Sequence, residues 1–329
     1  MRKVKLGLVG CGIAAKTLHI PALKKLSELF EVTAVTSRTR AHAQECSKLL
    51  GGVEVFESYD ELLKSGEVDA VDLALPVELN LPFIKKAVES GVHVICEKPI
   101  STDTKTGKEI VKIAESSDVV VYIAENFRHI PVFWKAKELI EKGKIGDPIF
   151  MSWHIWVGMD ESNPYVHTEW RKKPKHIGGY LSDGGVHHVA AMRLIFGDIV
   201  WVSAVVRDIS PLLGGPDFIS SILEFESGVV GSYTAGYPIK GKDRFEVVGT
   251  EGRMVIEWDR IVLNGESIYV KPEDSYKLEF KDFYYVVKGK RENVLGSPLE
   301  ALKDLAVIEA AVNSNGQKVN VGDLLDLEK

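Results

Sequence analysis

The feature that most constrains this chain is a rhythm: over residues 4–124, short β-branched runs alternate with longer helical patterns. A parallel sheet covered by helices on both faces reads this way. The runs fall at 4–9, 32–36, 53–56, 68–75, 92–96 and 119–124, and six strands are enough for a complete doubly wound sheet. Helical patterns lie between them at 15–29, 41–50, 81–90 and 103–116, with a short one after the capping box Ser58-x-x-Glu61. Pro21 sits early in the first pattern, where it bends or delays the helix.

Beyond residue 124 the texture changes. One helix (132–142) leads into strand-like runs at 149–157, 200–206, 218–225, 229–233, 245–248 and 254–258, interrupted by a helical stretch near 180–196. Such clustering predicts a second, α+β domain with a large open, mainly antiparallel sheet. The final helix, 299–313, follows Ser297-Pro298, a cap with Pro at the first helical position. The fold class expected is therefore α/β. A Rossmann doubly wound domain is expected over 1–125 and an α+β substrate-binding and oligomerisation domain over 126–329. The C-terminal helix is a candidate to pack back on the first domain.

Length and composition agree with this division, since 329 residues exceed what a single core usually supports. With 45% hydrophobic and 27% charged residues, the disordered, collagen-like and disulfide-scaffold classes are excluded. The net charge of −6, with no long basic run, disfavours nucleic acid and anionic membranes as partners. Cys11, Cys46 and Cys96 show no C-x-x-C spacing, which argues against a disulfide framework or zinc ribbon and for a reducing compartment. The basic start runs straight into Gly7, Gly10 and Gly12, unlike a signal peptide, and no apolar stretch has the length of a membrane span. A cytoplasmic protein is expected.

Gly10-Cys11-Gly12-Ile13-Ala14-Ala15 follows the first strand directly and opens a helix, matching G-x-G-x-x-A in the context that gives the pattern meaning. The first glycine permits the tight turn, the second lets a pyrophosphate approach the backbone, and the small third residue packs helix on strand. Dinucleotide binding by residues 10–15 is the expectation. After the second strand, Thr36-Ser37-Arg38-Thr39-Arg40 carries no acid to accept from a ribose 2′-hydroxyl. Ser37 and Arg38 suit a 2′-phosphate instead, which favours NADP over NAD. The same stretch also reads as a helix cap at Ser37 or Thr39 beside solvated arginines.

Glu97-Lys98-Pro99 stands at the carboxyl edge of the fifth strand, where open α/β sheets bind ligands. A lysine there suits hydrogen bonding to a substrate hydroxyl or stabilising an alkoxide, although surface charges at a strand end look the same. In the second half, Gly178-Gly179 precedes Asp183 and His187, which are four apart and share one face if helical, with His188 about a quarter-turn away. His187 suits proton transfer near neutral pH, and Asp183 suits positioning it or binding a hydroxyl. A plain N-cap, a buried structural histidine and a metal pair fit the same spacing, the last lacking a third ligand. Trp156, Trp170 and Arg171 suit sugar-ring packing and hydroxyl recognition, while Trp153 reads as core.

Taken together these residues resemble the glucose-fructose oxidoreductase and inositol dehydrogenase family, Gfo/Idh/MocA, over nearly the whole chain. Gly10 to Ala15 resembles its coenzyme turn, Glu97-Lys98-Pro99 its E-K-P signature and Asn126-Phe127-Arg128 its N-x-R. Trp170-Arg171 is similar to its W-R pair, and Gly178 to His187 to its G-G-x-L-x-D-x-G-x-H helix. The resemblance implies a Rossmann domain joined to an open-sheet domain with substrate between them, in a homodimer or homotetramer. It implies Lys98, Asp183 and His187 as the catalytic set, with His187 moving the hydroxyl proton, Lys98 orienting nicotinamide and substrate, and Asp183 holding the hydroxyl or the histidine.

By the same resemblance Leu75, Pro76, Asn80, Glu97, Lys98 and Asn126 join residues 10–15, Ser37 and Arg38 at the coenzyme. Arg128, Trp156, Trp170 and Arg171 join the catalytic set at the substrate. No metal is expected. The chain departs from the family at Leu75-Pro76-Val77-Glu78-Leu79-Asn80, where T-P-N-x-x-H is common, and at Ala190, where an acid is common. The implied activity is hydride transfer between a nicotinamide coenzyme and a hydroxyl or carbonyl of a sugar, polyol or related cyclic alcohol. A redox-neutral glycoside-cleaving cycle and a non-catalytic coenzyme sensor are the rival readings.

Overall fold

A computed structural model of the chain describes residues 2–326; Met1 and residues 327–329, at the ends of the two expected domains, lie outside the described residues. The chain divides into two compact units, one formed by the residues through His129 with Asp274–Leu302, the other by Ile130–Glu273 with the residues from Lys303 onward.

In the first unit β1 (Val4–Val9), β2 (Phe30–Thr36), β3 (Glu54–Val55), β4 (Ala70–Leu73), β5 (His93–Glu97) and β6 (Val121–Ala124) form a parallel sheet in the order β3-β2-β1-β4-β5-β6. The strand order reverses beside β1, the topological switch point at which such sheets bind ligands. Ser58 caps its helix as expected, its Oγ accepting from Glu61 N at 3.2 Å, and Asp103, expected inside the next pattern, is a cap as well, its Oδ1 accepting from Thr106 N at 2.7 Å.

The first helical pattern is shorter than its sequence suggests. A wide-turn segment, Ala15–His19, passes into Ile20–Lys24, with Pro21 in the first turn of the latter. Chain from Leu26 onward turns into β2, because Leu29 N and Phe30 N both bond Leu26 O.

A helix at Ser275–Val287, absent from the expected elements, belongs to this unit rather than the second. Asp274 caps it, and Phe280, Phe283 and Tyr284 bury completely against Val4, Leu6, Leu26, Phe30 and Tyr122. Each such aromatic contributes roughly 1.5–3 kcal/mol of burial. The chain then runs along β6, where Gly296 O accepts from Ile123 N at 2.8 Å and Asn293 donates to Val121 O. Segment 274–302 therefore lies outside the second domain in which the sequence boundary had placed it.

The second unit is built on a nine-stranded sheet, order β14-β13-β12-β11-β7-β10-β9-β8-β15. Its strands are β7 (Pro148–Trp156), β8 (Ile199–Arg207), β9 (Phe218–Phe225), β10 (Val230–Gly236), β11 (Arg244–Gly249), β12 (Arg253–Glu257), β13 (Arg260–Leu263), β14 (Glu266–Tyr269) and β15 (Val319–Asn320). All pairings are antiparallel except β7 with β10. One face packs on helices Pro131–Glu141 and Gly185–Phe196 through Trp153, Phe245, Phe133 and Phe196. Trp153 is core, as its sequence position suggested. The helical stretch expected over 180–196 is two helices, Tyr180–Asp183 and Gly185–Phe196, broken at Gly184.

Among the described residues no helix is long and apolar enough to cross a membrane.

Candidate active site

In the first unit the turn after β1 has the shape its glycines predict. Gly10 holds φ +94°, and a Cβ there would lie 2.3 Å from Ala74 O, so only glycine fits. Gly12 is exposed, and a Cβ on it would meet nothing within 4 Å: its backbone faces open space rather than protein. Ala15 is fully buried where the helix meets the sheet. A nicotinamide dinucleotide fits this cradle: Gly10 N is spent on Thr36 O at 2.9 Å, and the amides of residues 11–15 are left to face its pyrophosphate. Cys11, by contrast, is buried, its thiol packed beside Cys46 and pushed upward in pKa first by that neighbour and then by burial.

Past β2, Arg38 is exposed and Ser37 half-buried, so both can reach a ligand at the cradle rim. Thr39 occupies the N-cap position of helix Arg40–Leu49 without a side-chain cap bond, and Arg40 pairs with Glu57.

At the edge of β4 and β5, Leu75, Pro76, Glu97 and Lys98 are half-buried, and the Lys98–Pro99 peptide is cis. Asn80 is turned into the protein. It is 1% exposed, and its amide donates to Glu97 O (3.2 Å), Pro99 O (3.0 Å) and Ile100 O (3.3 Å), clamping the segment that carries Lys98. Asn126 donates to Ser275 Oγ at 2.9 Å, and the buried Arg128 guanidinium donates to Leu295 O and Glu300 O. These three residues, expected at ligands, tie the returning segment and the strand edge to the sheet.

Sequence reasoning did not single out His19 and Asp72, which meet Glu97 beneath this edge. His19 Nδ1 lies 2.8 and 3.1 Å from the Asp72 oxygens, and Nε2 lies 2.8 Å from Glu97 Oε1. An aspartate inside a buried strand, in the run Val71-Asp72-Leu73, was the available signal.

In the second unit Asp183 ends one short helix and His187, half-buried, lies in the first turn of the next, its N–H donating to Gly184 O at 3.2 Å. The two residues thus flank a break instead of sharing one uninterrupted helix face. Asp183 Oδ2 accepts from Arg171 Nε at 2.7 Å. Arg171 in turn lies flat on Trp170, 3.9 Å from the ring centre, and on Tyr165 at 4.6 Å. Trp170 and Arg171 therefore support Asp183.

Gly178 and Gly179 are required by close packing. A Cβ on the first would press Ile308 and Val312 at 3.2 and 3.3 Å, and one on the second would lie 2.6 Å from Gly214 O. His188 is buried, with Nδ1 2.7 Å from Tyr233 OH. Tyr237, also unanticipated, packs its hydroxyl against Gly184, and neither it nor the Tyr180 hydroxyl has a hydrogen-bond partner among the described residues. Burial pushes the Tyr180 hydroxyl up to about 12.

The same unit holds a cleft of about 400 Å³ whose lining includes Trp153, Trp156, Phe245, Trp258, Asp243 and Glu257, but not Asp183 or His187. Trp153 and Phe245 are buried and stacked on each other, and the partly exposed rings of Trp156 and Trp258 suit a ligand ring that presents C–H groups on its faces and hydroxyls at its rim.

Comparisons with known proteins agree with this geometry. Residues 4–125 match the profile described as "Oxidoreductase family, NAD-binding Rossmann fold", and residues 133–255 match the GFO/IDH/MocA C-terminal domain. A crystal structure of an oxidoreductase from Thermotoga maritima is 67% identical, covering 98% of this chain and 100% of that one at a TM-score of 0.97. An uncharacterised protein of Saccharomyces cerevisiae is 33% identical, with 100% of both chains covered. The dTDP-3,4-didehydro-2,6-dideoxy-alpha-D-glucose 3-reductase of Actinomadura kijaniata is 29% identical over 76% of this chain and 74% of its own.

Proposed function

Because this chain belongs to the GFO/IDH/MocA family of oxidoreductases, we propose that it transfers a hydride between a nicotinamide coenzyme, NADP in preference to NAD, and a hydroxyl or carbonyl carbon of a sugar, polyol or related cyclic alcohol. The cradle carries this reading: Gly10 tolerates no side chain and Gly12 presents bare backbone to open space. Residues 10–15 would hold the pyrophosphate, and Ser37 and Arg38 a 2′-phosphate. When bound, the coenzyme supplies the hydride acceptor or donor.

The chain's own residues handle the proton. His187 takes it from the substrate hydroxyl, or returns it in the reductive direction. Lys98 donates to the same oxygen and stabilises negative charge as it develops there. Asp183, held by Arg171, fixes the substrate hydroxyl or the His187 ring. The aromatic cleft and the sugar reductase among the relatives support a carbohydrate as substrate.

One face of the nine-stranded sheet exposes Phe150, Val205, Ile222 and Val230, and a second copy of the chain is the partner proposed for it. The activity is tested by following coenzyme absorbance with a panel of sugars and polyols. Lys98→Ala and His187→Ala should each lower turnover far more than coenzyme affinity, and equal losses of both would overturn the assigned roles.

A further inference from the structure

Three charged side chains from three separate elements converge under the carboxyl edge of the first sheet: His19 from the helix behind the cradle, Asp72 from β4 and Glu97 from the end of β5. His19 is 1% exposed, Asp72 fully buried, and the Glu97 side chain 14% exposed. Both ring nitrogens face carboxylate oxygens at 2.8 Å, so both act as donors only if the ring carries two protons.

A trio of this kind is seldom needed for stability, since apolar residues of similar volume stabilise a core as well or better. What it supplies is orientation. The Glu97 carboxylate is gripped by His19, and the backbone of Glu97, Pro99 and Ile100 by Asn80. Lys98 lies between these two grips. We propose that His19 is a positioning residue, locked by Asp72, that holds Glu97 and with it Lys98 in the working orientation for hydride transfer.

The surroundings support this assignment. Burial opposes a charge on His19, but Asp72 first and then Glu97 more than reverse it, so its pKa stands well above the ordinary value. Other titratable groups around the trio are Glu279 and the thiols of Cys11 and Cys96, with Glu125 beside Glu279; the rings of Phe280 and Tyr276 close the remaining side. Burial, and next Glu97, push the Glu279 carboxyl far up, which favours its neutral form. Loss of the second proton from His19 removes a donor from the trio and weakens the hold on Glu97.

The proposal rests on the nicotinamide reading of the cradle, and its test separates the two. Histidine 15N NMR of the coenzyme-free protein should show both ring nitrogens of His19 protonated at about pH 8, where ordinary histidines are neutral. His19→Gln and Asp72→Asn should each lower kcat at least ~10-fold and move the alkaline limb of the pH profile, with coenzyme KM changed less than ~3-fold. If His19→Gln fails to fold, Asp72→Asn, which keeps the shape and an acceptor, carries the comparison. A single-protonated His19 ring, or a folded variant with the parental kcat and pH profile, overturns the proposal. Absence of coenzyme binding by the parent protein overturns the nicotinamide reading instead, and leaves the NMR result to judge the trio.

Discussion

Arg171 Nε donates to Asp183 Oδ2 at 2.7 Å, with the guanidinium stacked on Trp170 and Tyr165 and both partners nearly buried. A planar ion held on two aromatic faces has little freedom, so the carboxylate beside Gly184 is held in turn. Arg171→Ala removes a buried charged donor from Asp183 and should cost about 3 kcal/mol in urea unfolding. It should also lower kcat by at least ~10-fold. Arg171→Lys, which keeps charge but loses the flat fork, should fall between; a lysine variant equal to the parent would show that stacking is irrelevant.

The two cradle glycines should fail in different ways. Gly10→Ala places a Cβ 2.3 Å from Ala74 O at φ +94°, so it should lose more than about 1 kcal/mol of stability along with coenzyme binding. Gly12→Ala meets no protein atom, so it should melt like the parent yet bind coenzyme at least ~10-fold more weakly. Thermal melts beside coenzyme titrations distinguish these outcomes.

Beside Gly184, Tyr237 carries a buried hydroxyl with no partner among the described residues. An unsatisfied hydroxyl costs about 1–3 kcal/mol, so Tyr237→Phe should be as stable as the parent or more so. If the hydroxyl meets substrate, kcat/KM should fall in the same variant. A loss of stability would place a structural hydrogen bond there.

Two buried histidines of the first unit should bend the pH–stability curve in opposite directions. Burial lowers the His129 pKa to about 4, Asp282 opposing and Arg128 assisting. The unfolded chain takes up that proton near pH 6.5, so stability should fall between about pH 6.5 and 4, by something on the order of 3 kcal/mol. His19 is raised, so its contribution is complete below about pH 6.5 and is lost as pH rises through its folded value. Chemical unfolding of His129→Asn across this range should show the acid slope reduced; an unchanged slope would assign it elsewhere.

What was legible in the chain follows from how local each signal is. The six parallel strands, the Ser58 cap and the Gly10 turn are set by neighbours within a few residues, and all stand where the pattern placed them, while Asp103, read as the first residue of its helix, is instead that helix's cap. Some local signals went unread. Asn264-Gly265, with φ of 51° and 93°, closes the β13–β14 hairpin as that dipeptide usually does, and Asp274 caps a helix with aromatic residues at helical spacing.

Other features were not available to pattern reading. That helix Ser275–Val287 completes the first unit's core depends on contacts some 250 residues distant in sequence, such as Lys25 to Asp274. The His19, Asp72 and Glu97 trio spans separations of 53 and 78 residues. Arg128 matches a motif position by type and Asn80 stands where the family commonly has histidine, and only the fold reveals that the donors of both are spent on backbone carbonyls.

The most direct measurement is calorimetric titration of the folded, coenzyme-stripped protein with NADP and NAD, oxidised and reduced. The account predicts saturable one-site binding, tighter for NADP, with the advantage falling at least ~10-fold in Arg38→Ala while NAD binding is unchanged. Heat of binding with neither coenzyme, from protein that melts cooperatively, would contradict it.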